Sequence, residues 1–245
     1  MMNLRDGPPL LGTLLTVPAP EVAEALALAG VDWLFLDGEH APGLDPAAAQ
    51  HILQAVAGRC PVLVRVPAND PAWTQRVLDA GADGVIVPHV RSVADARRAV
   101  RDARYPPLGG RGVGIARAQG YGADLAGYLA RANDSTVLVA QIEDAEALDA
   151  LDDILRVPGL DAVLAGPYDL SGSLGRLGDV GHPEVLAAVE HVRARCRAAG
   201  VPFGAFAGTV DAARAELAAG ARFVAVGTDL GLLTGAAREV LAALR

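Results

Sequence analysis

Short apolar runs alternate along the whole chain with alanine-rich segments whose apolar positions recur every three or four residues. The short runs have the length and β-branched content of strands, and the longer segments have the period of helices packed on one face. The pattern predicts strands over 11–17, 33–36, 62–66, 84–90, 137–142, 162–165, 203–206 and 223–226. Helices are predicted near 20–29, 46–57, 71–80, 93–104, 124–132, 145–155, 184–199, 210–219 and 232–244. Eight strands, each followed by a helix, predict a parallel sheet closed into a (β/α)8 TIM barrel.

Local punctuation agrees with these boundaries. Asp45-Pro46 and Asp70-Pro71 each put a capping carboxylate before a proline suited to the first helical turn, and Ser92 with Asp95 resembles a capping box. Four helices run into the next strand through glycine: Gly30-Val31-Asp32, Gly81-Ala82-Asp83, Gly159-Leu160-Asp161 and Gly220-Ala221-Arg222. These junctions precede strands two, four, six and eight, a two-strand rhythm. No linker or low-complexity stretch interrupts the chain, so residues 1–245 are expected to form one barrel domain. The one long irregular segment, 105–123, is rich in glycine and arginine and is an expected active-site loop. Its Gly110–Gly114 run lacks the strand-to-helix setting of a dinucleotide fingerprint.

Composition narrows the chemistry. All 21 basic residues are arginine, and there is no lysine. A Schiff-base carbonyl enzyme requires a lysine amine, so a carbon–carbon lyase on this scaffold must polarise its substrate by another route, such as a bound cation. The net charge of −8 argues against nucleic acid or an anionic membrane as partner. No run of apolar residues is long enough to span a bilayer, no signal peptide is read, and Cys60 and Cys196 form no metal or redox motif, so a reduced cytoplasmic protein is expected.

Polar residues at the C-terminal ends of barrel strands are the place to look for chemistry. The second strand ends in Asp37-Gly38-Glu39-His40, where His40 is the expected acid/base, while Asp37 and Glu39 either orient it or make structural pairs. Arg65 stands in an otherwise apolar strand, which calls for a carboxylate partner or an anionic ligand. Gln141 and Glu143 share a side of the fifth strand, and Asp169 follows the sixth. Two carboxylates on adjacent strands suit a hard divalent cation. The remaining histidines are less informative: His89 ends the fourth strand beside Pro88, where reaching the same rim is the lesser of its readings. His51 and His191 read as surface helix residues, and His182 as a cap.

LDGEHAP (36–42), the arginine in VRVPAND (64–70), RYPPLGGRGVG (104–114), VAQIED (139–144), AGPYDLSGSLG (165–175) and FVAVGTDLGLL (223–233) together resemble the HpcH/HpaI aldolase family of class II, pyruvate-forming aldolases. The likeness extends over essentially the whole chain. It is similar to both 4-hydroxy-2-oxoheptanedioate and 2-dehydro-3-deoxyglucarate aldolases. The resemblance implies a barrel of the phosphoenolpyruvate/pyruvate-binding type. It implies that Glu143 and Asp169 hold Mg²⁺ or Mn²⁺, with Co²⁺ also admissible. Gln141, Asp169 and the backbone at Tyr168 would bind the pyruvate part, and Arg65 would stabilise charge on the keto oxygen. His40 would be the acid/base, assisted by Asp79. Because Asp79 ends a helix at the other face of the barrel, that assistance would cross a subunit interface, and the resemblance implies a homohexamer. Tyr168 is bulkier than the small residue often found there, and Phe206 replaces a common aliphatic residue; both bear on the aldehyde. The expected partners are a small 2-oxo acid and an aldehyde. An acyl-CoA lyase of the malyl or citryl type is the alternative enzyme and would need a basic groove, for which the loop around Arg111 and Arg117 is the only source. A non-catalytic binding barrel is the remaining alternative.

Overall fold

In the computed structural model, which describes residues 2–245, eight parallel strands close into a barrel in sequence order, β1 to β8, with β8 pairing back onto β1. The strands are β1 (Leu10–Leu15), β2 (Trp33–Asp37), β3 (Val62–Arg65), β4 (Gly84–Val87), β5 (Val137–Ile142), β6 (Ala162–Ala165), β7 (Phe203–Ala207) and β8 (Phe223–Thr228). Around them run α1 (Pro20–Leu28), α2 (Pro46–Ala55), α3 (Pro71–Asp79), α4 (Val93–Ala103), α5 (Leu125–Ser135), α6 (Ala145–Leu155), α7 (Pro167–Ser173), α8 (Pro183–Ala199), α9 (Val210–Ala218) and α10 (Asp229–Leu244).

The period-2 pattern sorts the strand residues into two cores. Trp33, Phe35, Leu63, Ile86, Val139, Leu164 and Phe223 point inward and fill the barrel, while Leu34, Leu36, Val62, Val64, Val85 and Leu138 pack outward against the helices. Small residues make room for the large ones: a Cβ on Gly12 would come within 2.6 Å of the Trp33 indole, and Gly204 lies against the Phe223 ring.

The caps are where the residue types place them. Asp45 accepts from the Ala48 amide, Asp70 from Ala72 and Trp73, Ser92 from Asp95, and His182 from Glu184. The two-strand rhythm has a physical basis. Gly30, Gly81, Gly159 and Gly220 all hold φ between 92° and 96°, a conformation open mainly to glycine, and each turns a helix into a strand. The aspartate two residues on then accepts an amide from the preceding strand: Asp32 from Leu11 at 2.8 Å, Asp83 from Val62 at 2.9 Å and Asp161 from Leu138 at 2.7 Å. Before β8 that aspartate is Arg222, which instead donates to the Leu4 and Gly7 carbonyls and ties down the N-terminal segment.

Four expectations change. The fourth strand stops at Val87 because Pro88 has no N–H to donate and His89 turns to φ 51°. Pro167–Ser173 is a short helix where the sequence pattern predicts no element, and α10 begins at Asp229 rather than 232. The segment 105–123, expected as an active-site loop, contains a 3-10 stretch (Arg117–Gly122) and lies between α4 and β5. Connections from helix to strand run at the opposite end of a parallel barrel from those that follow strands, so within this chain the segment is remote from the strand C-termini. No helix is long and apolar enough to cross a membrane among the described residues.

Candidate active site

The functional end of the barrel is organised by Arg65. Asp37 and Arg65 are register partners on β2 and β3, both buried. The guanidinium grips Asp37 through Nε (3.0 Å) and Nη2 (2.8 Å) and reaches Glu39 from Nη1 at 3.0 Å, with its Cζ 5.3 Å from the centre of the Phe35 ring. A guanidinium offers five N–H bonds. Three are engaged by these carboxylates, which leaves one on each terminal nitrogen for a ligand. Asp37 in turn accepts the backbone amides of Glu39 (3.0 Å) and His40 (3.1 Å), folding the strand end into a tight turn. Asp37 and Glu39 therefore act as structural partners of Arg65. His40 is exposed, and Glu39, 3.8 Å away, is the nearest carboxylate to its imidazole.

Glu143 is the other fixed point. Its side chain is fully buried, and it accepts from the His89 amide at 2.8 Å and from the Gln141 side chain. Burial raises its pKa, partly offset by those two hydrogen bonds and the His89 charge. Gly166 keeps β6 close, since a Cβ there would stand 2.5 Å from Glu143 Oε2. From Gly166 the chain enters α7, which carries exposed Tyr168 and Asp169. The Gln141 Oε1 atom is buried without a hydrogen-bond partner among the described residues. Oxygen donors, a desolvated carboxylate and an orphaned amide oxygen together fit a hard cation and an oxygen-rich ligand.

His89 has a larger part than its place in the sequence suggests. Besides its amide bond to Glu143, its ring lies 3.0 Å from Asp144, 3.4 Å from Glu143 and 3.3 Å from Glu39. Burial alone would lower its pKa, but the hydrogen bond to Asp144 and the three acidic neighbours outweigh it and the net shift is upward. Glu39, His89 and Glu143 place one donor atom each within 4.8 Å of one another, a second constellation able to hold a metal.

One cavity of about 320 Å³ joins His40, Arg65, Gln141, Tyr168, Asp169 and Phe206, so the strand ends converge on a common space. Asp79 is elsewhere. At the end of α3 its Oδ1 accepts from Arg111 (2.6 Å) and Gln119 (3.2 Å), and it does not meet His40 within this chain.

The HpcH/HpaI aldolase/citrate lyase family model matches residues 12–236. This chain belongs to that family. It is 42% identical over all of its length to the 2-dehydro-3,6-dideoxy-6-sulfogluconate aldolase of Pseudomonas putida, of which 95% is covered. It is 44% identical over 98% of its length to the 2-keto-3-deoxy-L-rhamnonate aldolase of Escherichia coli strain K12, covering 90% of that protein. Among solved structures, a family protein from Burkholderia cenocepacia J2315 superposes with a TM-score of 0.94 at 41% identity, covering 99% of this chain and 97% of that one. Against this family background the loop arginines lose their appeal as a nucleotide groove. Arg111 is buried between Tyr105 and Tyr128 and paired with Asp79, and Arg117 donates to the Ala80 and Leu53 carbonyls.

Proposed function

We propose that the chain reversibly cleaves a 4-hydroxy-2-oxo acid into pyruvate and an aldehyde. The observation that carries this is the shared cavity, in which a free-edged arginine, an orphaned glutamine oxygen and an exposed imidazole meet next to a buried carboxylate. Membership of a family whose similar members are sugar-acid aldolases supports it.

Glu143 and Asp169 would hold a divalent cation, Mg²⁺ or Mn²⁺. When bound, the cation supplies a Lewis acid beside the 2-oxo group. Gln141 and the Tyr168 amide orient the carboxylate end of the substrate. His40, directly or through water, takes the proton from the 4-hydroxyl; the C3–C4 bond breaks, C4 leaves as the aldehyde carbonyl, and the electron pair moves toward C3 and the 2-oxo oxygen. Arg65, immobilised by Asp37 and Glu39, directs its two remaining N–H bonds at the charge developing on that oxygen. Return of the proton to C3 yields pyruvate. Held rigidly before reaction, such donors need no reorganisation as charge builds.

A homo-oligomer, a hexamer in the form this family resemblance implies, is part of the proposal. It is supported by α10, which leaves Leu230, Leu233, Val240, Leu241 and Leu244 exposed. The decisive experiment is pyruvate release from a 4-hydroxy-2-oxo acid after exhaustive chelation. Activity should vanish and return with Mg²⁺ or Mn²⁺, with binding of Mn²⁺ read independently by calorimetry. Undiminished turnover in metal-free buffer would end the cation assignment, and no turnover under any metal would end the aldolase reading.

A further inference from the structure

Four arginines converge on a second cavity, at the end of the barrel opposite the strand C-termini. It has a volume of about 240 Å³ and lies between the N-terminal segment, the end of α8, the start of β7 and the turn from α9 into β8. Arg5, Arg193, Arg197 and Arg222 line it. Only Arg193 meets carboxylates there, those of Glu190 and of Glu216 at 2.8 Å. The other three donate to backbone carbonyls: Arg5 to Gly200 (2.9 Å), Arg197 to Ala219 (2.9 Å), and Arg222 to Leu4 (3.2 Å) and Gly7 (2.8 Å). Carbonyls fix a guanidinium without neutralising it. In a chain of net charge −8, four cations facing two carboxylates make a local field of opposite sign.

The donors are far from used up. Each guanidinium has five N–H bonds, of which Arg5 and Arg197 use one apiece and Arg222 two. Arg193 is more than nine-tenths buried, with its Cζ 5.1 Å from the centre of the Phe203 ring, and its Nε has no hydrogen-bond partner among the described residues. A buried guanidinium with an unmade bond is costly, and negative charge brought beside it lowers that cost.

We infer that this cavity binds a small oxyanion carrying two or more negative charges, of the phosphoryl or polycarboxylate kind, both of which match the planar fork of arginine. The volume lies below the roughly 300–1,000 Å³ of pockets that take drug-sized ligands, so it suits a metabolite of a few carbons. Bound there, the anion joins Arg5 of the N-terminal segment to Arg193 and Arg197 of α8. Leu4, beside Arg5, belongs to the inner core of the barrel, so occupancy stabilises the fold by mass action. The test is calorimetric titration of the Mg²⁺-loaded protein, in about 0.15 M salt to screen loose surface binding, with inorganic phosphate and with tricarballylate. At least one of the two should bind at a single site, and whichever binds more tightly assigns the class. Acetate, a monoanion, should bind at least about tenfold more weakly. Arg5 and Arg197 are exposed and lack acidic partners among the described residues, so Arg5→Gln and Arg197→Gln should fold. Each should weaken the anion at least about tenfold, as loss of a charge-assisted hydrogen bond does, and shrink the anion-dependent rise in melting temperature. Unchanged affinity in both variants would place the anion elsewhere on the molecule and overturn the inference. So would failure of both probes to bind, or acetate binding as tightly as they do.

Discussion

In the proposed mechanism Arg65 joins two roles in one side chain, since the carboxylates that fix its position are also left without a partner if it is removed. Arg65→Ala should lower kcat by about a hundredfold or more through loss of the oxyanion donor. It should also cost on the order of 3–5 kcal/mol of stability by stranding buried Asp37 and partly buried Glu39. Arg65→Lys restores charge without the planar fork, so it should recover more stability than activity. Steady-state kinetics beside urea denaturation check both; a lysine variant with full turnover would remove the bidentate geometry from the mechanism. That Arg65 needs a partner was legible in the sequence, because a guanidinium in an apolar strand is costly unpaired. The partner was not, because Asp37 and Glu39 gain their meaning only when β2 and β3 lie in register. His89 was harder still. Its amide reaches Glu143 because the residue sits at φ 51°, and nothing in a histidine's identity announces that backbone.

At the scale of elements, the Gly-Xaa-Asp junctions state a rule that the side chains obey. Each aspartate accepts a strand amide, and the cost depends on how dry its place is. Burial raises the pKa of Asp83, against the opposing pull of the Val62 amide and Arg117. A carboxyl whose pKa is higher in the folded chain binds its proton more tightly there, so ionisation at neutral pH works against the fold and acidification toward the folded pKa relieves it. Asp83→Asn keeps an oxygen for the Val62 amide and discards the charge. It should therefore match or exceed the wild-type urea midpoint at pH 7, with the gain shrinking as the pH falls into the carboxylate range. A loss of stability at pH 7 that persists at pH 4 would show that the carboxylate is needed as such. The eight strands were legible because period-2 apolar runs have few alternative readings, and the glycine junctions fixed where helices end. Helix α7 was not, since PYDLSGS combines two serines and a glycine of weak helical propensity; its one signal was Pro167 at the first helical turn.

The whole molecule divides its chemistry between two ends. The cavity opens at the strand C-termini, whereas Asp79 and segment 105–123 occupy the other end, where Arg111 and Gln119 hold one carboxylate oxygen. Asp79 Oδ2 has no hydrogen bond among the described residues, so an acceptor remains on a side chain that is 15% exposed. An imidazole without a close partner at one end, a half-used carboxylate at the other and an apolar α10 that this chain leaves uncovered are reconciled if one copy's Asp79 supports the neighbouring copy's His40. That arrangement makes a genetic prediction. His40→Ala and Asp79→Asn should each be poorly active alone, the asparagine retaining an acceptor for buried Arg111. Co-expressed, they should form mixed assemblies in which some sites combine intact His40 with intact Asp79, and activity should rise above the mean of the two parents. Sedimentation must show the same assembly for all three preparations. Activity no greater than that mean, in assemblies proven to be mixed, would confine Asp79 to its partnership with Arg111 and leave His40 to work unaided.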